Sequence, residues 1–119
     1  MLFRSSYTVT DKDTVGAMVP GMPMVAATPW LVTIAEMVCY EICGKLIEPG
    51  QITVGARVVI DHLGASKVGA TISVAATLRA RERNRFIFDV IIKDGDRTVA
   101  TVEHTRAAVA LQKLMAALG

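Results

Sequence analysis

The 119-residue sequence is short of most features that announce a chemistry. Cysteine is nearly absent, with only Cys39 and Cys43. Four apart on one helix face, they suit neither a disulfide framework nor, alone, a metal site. They read as buried free thiols, which implies a reducing, cytoplasmic setting. There is no glycine-rich phosphate loop, no metal-ligand spacing and no G-x-S-x-G elbow, so neither a metal nor another cofactor is expected. The net charge of +2 is too small to argue for nucleic acid. No secretory signal is evident, since Met1-Leu2-Phe3-Arg4 reads directly into structure. Val15 to Ala35 carries no charge and is long enough for a membrane span. It holds Gly16, Pro20, Gly21, Pro23 and Pro29, however, and its backbone could not satisfy itself in lipid, so no membrane contact is expected.

Apolar side chains, by contrast, are abundant. Hydrophobic residues make up 52% of the chain, high for a monomer of this size. That suggests apolar surface buried against a second copy, in a homodimer or higher homo-oligomer. The length is enough for one domain with a real core and too short for two, so residues 1–119 are read as a single domain.

The organising stretch is Thr28 to Glu36. Thr28 is a good N-cap, and Pro29 then falls at the first helical position, where its missing N–H costs nothing. The helix should reach about Cys43 and stop at Gly44, with Pro49-Gly50 closing the next turn. Trp30, Leu31, Val32, Ile34, Met37, Val38, Tyr40 and Ile42 point nearly all round the axis, so the helix should be buried on most sides. Glu36 is the one carboxylate in its middle, and an ionisable group there is costly without partners. Glu41 lies about 140° round the helix from Glu36, so the two form no carboxylate pair.

Before the helix, residues 3–10 have edge-strand composition, Asp11-Lys12-Asp13 is a solvated turn, and residues 14–27 form an apolar loop without period. Such a loop can be a lid, an interface piece or plain core packing. After the helix the chain reads as strand. Over residues 52–62, Val54, Val58, Ile60 and His62 share one face, and Arg57, Val59 and Asp61 the other. Over 68–82, Ala70, Ile72, Val74, Ala76 and Leu78 face one way. Phe86, Phe88, Val90 and Ile92 point inward in the next strand. Asp94-Gly95 signals a tight hairpin. Residues 97–109 form the last strand, and Gln112 to Leu118 a short helical tail. One helix buried by a curved antiparallel sheet is α+β architecture.

Polar residues that local structure does not require are few. His62 ends an apolar strand face, and His104 stands beside Thr105 and Arg106; each is a candidate proton carrier or a satisfied structural residue. The run Arg79, Arg81, Arg83, Arg85 straddles a hairpin end, as a solvated tip or a phosphate contact. A carboxylate in an apolar helix, a histidine and a helix N-terminus together suggest acyl transfer.

These residues resemble a known family. The element order is similar to the hotdog fold, in which a curved sheet wraps one long central helix and subunits pair. Within it, the chain resembles the fluoroacetyl-CoA thioesterase group of acyl-CoA hydrolases, which carries Thr, then Glu eight residues on, then His twenty-six further. Thr28, Glu36 and His62 have those spacings. Glu48-Pro49-Gly50, Gly55, Gly69 and the His104-x-Arg106-Ala107 ending also match, over about residues 15–110. The resemblance implies hydrolysis of a short acyl-CoA thioester at a dimer interface. Thr28, Glu36 and His62 would be catalytic, and Val19, Met22, Gly69 and Arg106 would bind substrate. Backbone N–H groups near Thr28 to Leu31 would polarise the carbonyl. Glu36 would attack or activate water, His62 would move the proton, and Thr28 would hydrogen-bond the carboxylate or the substrate. Two lid phenylalanines of the family fall on Val19 and Met22, so the aromatic gate is missing. Eight helical residues rise about 12 Å. Thr28 and Glu36 of one helix therefore cannot touch unless that helix starts a turn later, and otherwise two subunits build the site. The rival readings are a non-catalytic acyl-CoA-binding module and a hotdog hydratase or dehydratase.

Overall fold

The computed structural model describes residues 2–119. The chain runs β1 (Leu2–Thr8), a 3-10 turn at Asp11–Asp13, α1 (Val15–Met18), α2 (Thr28–Gly44), β2 (Gln51–His62), β3 (Thr71–Glu82), β4 (Arg85–Asp94), β5 (Arg97–Ala110) and α3 (Leu111–Ala117). The expected order forms, with one helical turn inside the apolar loop. That loop is less free than its missing period implies. Buried Thr14 caps α1 by accepting from the Ala17 N–H at 3.2 Å, and bridges join Thr14 to Ala26 and Val25 to Lys67.

The strands make one antiparallel sheet in the order β1-β3-β4-β5-β2, leaving β1 and β2 at the edges. Two-residue turns join β3 to β4 and β4 to β5. Gly95 takes the left-handed φ of +60° that the second turn requires. The alternation read on β3 and β4 holds: Ile72, Val74, Ala76, Phe86, Phe88, Val90 and Ile92 are all buried.

The face read for β2 needs correction. Its register on β5 shifts between Gly55 and Arg57, so Ala56 is an extra, bulged residue. Gly55 lies opposite Arg106, and Val58 lies opposite His104. Residues opposite each other share a face. Thr53 and Gly55 therefore join Val58, Ile60 and His62 on the helix side, and Val54 moves to the outer side with Ala107. Strict alternation cannot anticipate this, because one inserted residue reverses every assignment on one side of it.

Against the inner face lies α2. Leu31, Ile34, Ala35, Val38, Cys39, Ile42 and Cys43 are buried at helical spacing and pack into the core with the inward residues of β3, β4 and β5. Truncating one of the large ones, such as Leu31, would cost about 2–5 kcal/mol. The opposite side is open: Met37 is 49% and Tyr40 52% exposed. Burial on most sides is thus not what one chain provides. No helix among the described residues is long and apolar enough to cross a membrane.

Candidate active site

Two polar clusters face the helix from β2 and β5. The first forms at the N-terminus of α2. Thr28 is not the N-cap that the sequence suggests; that position belongs to Ala27, which has no side chain to cap with. The Ala27 N–H is held by the Asp13 carbonyl at 2.9 Å, and its own carbonyl takes the Trp30 and Leu31 N–H groups. This leaves the Thr28 hydroxyl free for a distant partner, Nδ1 of His62 at 2.7 Å. Val15, Val25, Ala26, Leu63, Gly64 and Ala65 complete a cleft of about 480 Å³ around the pair. The expected row of free backbone donors shrinks as well. Pro29 has no N–H, and those of Trp30 and Leu31 are taken. The Thr28 N–H is the one donor of that stretch with no partner among the described residues.

The second cluster centres on Arg106, which is 6% exposed. Its Nε–H donates to Thr53 Oγ1 at 2.9 Å and Nη2 to the Thr53 carbonyl at 2.9 Å. Nη1 reaches His104 Nε2 at 3.1 Å and Glu36 Oε2 at 3.5 Å. Fully buried His104 meets the Arg57 carbonyl through Nδ1 at 2.8 Å. Burial holds its imidazole below the ordinary histidine range; the bond to Arg57 opposes this, the Arg106 charge adds to it, and Glu36 opposes it again. Glu36 is less enclosed than an all-round apolar helix implies. Its side chain is 38% exposed, on a cleft of about 240 Å³ shared with Thr33, Met37, Tyr40 and Arg106. The guanidinium lies 5.6 Å from the centroid of the Tyr40 ring. Glycine at position 55 leaves room for the arrangement, because a Cβ there would stand 2.7 Å from Glu36 Oε2.

Thr28 with His62, and Glu36 with Arg106, are thus paired, and within one chain the two pairs stay apart. The helix begins at Thr28, so a later start is excluded, and about 12 Å of rise separates Thr28 from Glu36. The other expected positions lie outside both clusters. Val19 and Met22 are half exposed and line neither cleft. Gly69, with φ +89°, turns the chain into β3 and donates to the Val9 carbonyl at 2.8 Å. Of the arginine run, Arg79 is spent on Asp89 and Glu103 at 3.3 Å each, and Arg81 covers the Phe86 ring at 4.7 Å. Thr53 was not legible as a site residue, since only the bulge turns it inward.

One helix wrapped by a five-stranded antiparallel sheet is the hotdog fold. A hot-dog-like protein from Thermanaerovibrio acidaminovorans superposes with a TM-score of 0.92, at 21% identity over 99% of this chain and 88% of its own. With its polar pairs at the helix and facing strands, the chain falls in the thioester hydrolase class of that fold. It belongs to the family described as fluoroacetyl-CoA-specific thioesterase, whose model matches residues 9–112. It is similar to the fluoroacetyl-CoA thioesterase of Streptantibioticus cattleyicolor, with 32% identity over 94 residues, 79% of this chain and 68% of that protein. A variant of the thioesterase FlK, crystallised with fluoroacetate and CoA, superposes with a TM-score of 0.91 at 29% identity, covering 98% of this chain and 95% of its own.

Proposed function

We propose that the protein hydrolyses a short acyl-CoA thioester in a site completed by a second copy of the chain. Thr28 and His62 come from one copy, and Glu36 with Arg106 from the other. The observation that carries this reading is the 2.7 Å contact between Thr28 Oγ1 and His62 Nδ1 on an open cleft. A hydroxyl bonded to an imidazole is the ordinary arrangement of an activated nucleophile.

The geometry of β2 supports the pairing of copies. It is an edge strand, and Val58 and Val59, at 37% and 45%, are exposed apolar residues on it. An antiparallel pairing of two β2 edges centred on Val59 sets Val58 opposite Ile60 and, past the Ala56 bulge, Gly55 of one copy opposite His62 of the other. Glu36 sits beside Gly55 and Thr28 beside His62. One symmetric contact therefore unites both halves twice. It would also cover the exposed edge and, with it, the open side of α2 at Met37 and Tyr40.

In this site His62 takes the proton as Thr28 Oγ1 attacks the thioester carbonyl. The Thr28 N–H faces the developing oxyanion. The C–S bond breaks, the thiolate of CoA takes the proton back from His62, and water then cleaves the acyl-threonine with His62 again as base. These roles differ from those first expected, because Glu36 is engaged by a guanidinium, which weakens a carboxylate as a nucleophile. Its place is to orient the acyl group or water from the far side. Val19 and Met22 offer no aromatic gate, so selectivity for a fluorinated acyl group is not expected. Two buried thiols fit a reducing, cytoplasmic setting.

Free thiol released from a panel of acyl-CoAs tests the proposal. Hydrolysis by the wild type, lost in Thr28→Ala, His62→Ala and Glu36→Ala, is the expected result. Tight acyl-CoA binding without release for any chain length would replace it with a binding module.

A further inference from the structure

The geometry points to His104 as a positioning residue for the reaction: its neutral Nδ1–H imidazole locks the Arg106 guanidinium in place beside Glu36. This rests on the reading of Glu36 and Arg106 as half of the site. Two independent contacts fix the same tautomer. A carbonyl only accepts, so the Arg57 carbonyl at 2.8 Å requires the proton on Nδ1. A guanidinium only donates, so Arg106 Nη1 at 3.1 Å requires a bare Nε2. An imidazolium would set N–H against N–H and cation against cation in a buried place.

The consequence for Arg106 follows from its donors. Nε–H and one Nη2–H are bound to Thr53, and Nη1 divides its two hydrogens between His104 and Glu36. Without an acceptor at Nε2, one buried Nη1–H loses its partner. The fork is then free to tilt toward the half-open carboxylate, which changes where both present themselves to the cleft. His104 itself lines neither cleft, and its Nε2 stands 3.8 Å from Glu36 Oε2, beyond hydrogen-bond reach. It acts through Arg106. It also ties the fork to the bulge, since Arg57 follows Ala56 directly.

Two substitutions separate the contacts. In His104→Asn the amide can still donate to the Arg57 carbonyl but cannot reach Arg106. In His104→Gln the amide oxygen can take the place of Nε2, and the bond to Arg57 is lost. The expected result is a fall in kcat/KM of about 10-fold or more for His104→Asn, and substantial recovery in His104→Gln, with melting temperatures that do not follow this order. In an Arg106→Met background, His104→Asn should cause no further loss. Additive losses, or equal losses in the Asn and Gln proteins, overturn the proposal. If the Asn protein does not fold, the imidazole ¹⁵N spectrum of the wild type decides. A bare Nε2 that shifts on Arg106→Met supports the lock, and a protonated Nε2 refutes it. Wild-type hydrolysis by Arg106→Met would instead remove the site reading itself, and this inference with it.

Discussion

Mixing two inactive proteins should restore activity if the site is shared between copies. Within one chain, about 12 Å of helix separates Thr28 from Glu36, whereas Thr28 and His62 are in contact. Consider Glu36→Ala and His62→Ala. Removing a general base costs about 10²–10⁴-fold in rate, so a His62→Ala homodimer is nearly silent, and its Glu36→Ala counterpart lacks the other half of each site. In a mixed dimer, one site combines the intact His62 of one chain with the intact Glu36 of the other, and the second site carries both defects. Random re-pairing makes half of the dimers mixed, each with one good site of two, so an equimolar mixture should recover about one quarter of wild-type thiol release. Glu36→Ala with Thr28→Ala should rescue equally well. Thr28→Ala with His62→Ala should not, because both residues serve the same half. The assay is thiol release after co-refolding, with sedimentation to verify that dimers form. A silent Glu36→Ala and His62→Ala mixture of folded dimers would refute the shared site, as would full activity of a wild-type monomer.

Three further outcomes follow. Gly55→Ala places a Cβ 2.7 Å from Glu36 Oε2, which must swing away; because that carboxylate is part exposed, hydrolysis should drop while the melting temperature stays within a few degrees. An unchanged rate would mean that the position of Glu36 is unimportant. The Cys39 thiol is pushed up to about 12, chiefly by burial and then by Cys43, so native protein should resist iodoacetamide at Cys39 and unfolded protein should not; rapid native alkylation there would contradict the packing of α2. Burial holds the His104 imidazole below its ordinary value, with Arg106 and Glu36 facing the ring and acting in opposite senses. Between the lowered value and about 6.5 the unfolded chain binds the extra proton and the folded chain does not, so stability should fall as pH drops below about 6.5 and gain nothing from this group above it. Urea midpoints across that range should slope less in His104→Gln; identical slopes would show that His104 does not carry the effect.

Much of this architecture could be read directly. The alternation in β3 and β4, the Asp94-Gly95 turn and the apolar helix were all legible, because each rests on contacts close in sequence or on a simple period. The spacing of Thr28, Glu36 and His62 already posed a question of distance, and the helix start at Thr28 removes one of its two answers, a helix beginning a turn later. What could not be read was decided by long-range partners. Ala56 carries no turn signal, and only the pairing of β2 with β5 makes it a bulge. That single residue brings Thr53 and Gly55 to the helix side, where Arg106 and Glu36 use the space. Thr28 is equally instructive. Its composition fits an N-cap, and Pro29 is tolerated at either the first or the second helical position. The local rule loses because Ala27 is already anchored by Asp13, and the hydroxyl is left to His62, across the fold. A threonine that gives up its local bond for a distant imidazole breaks local consistency, and such breaks gather where a protein keeps its chemistry. The same logic marks Gly55, whose missing side chain weakens a strand yet leaves room for a carboxylate. Both departures fall on one edge strand and one helix, the two elements on which the proposed site stands.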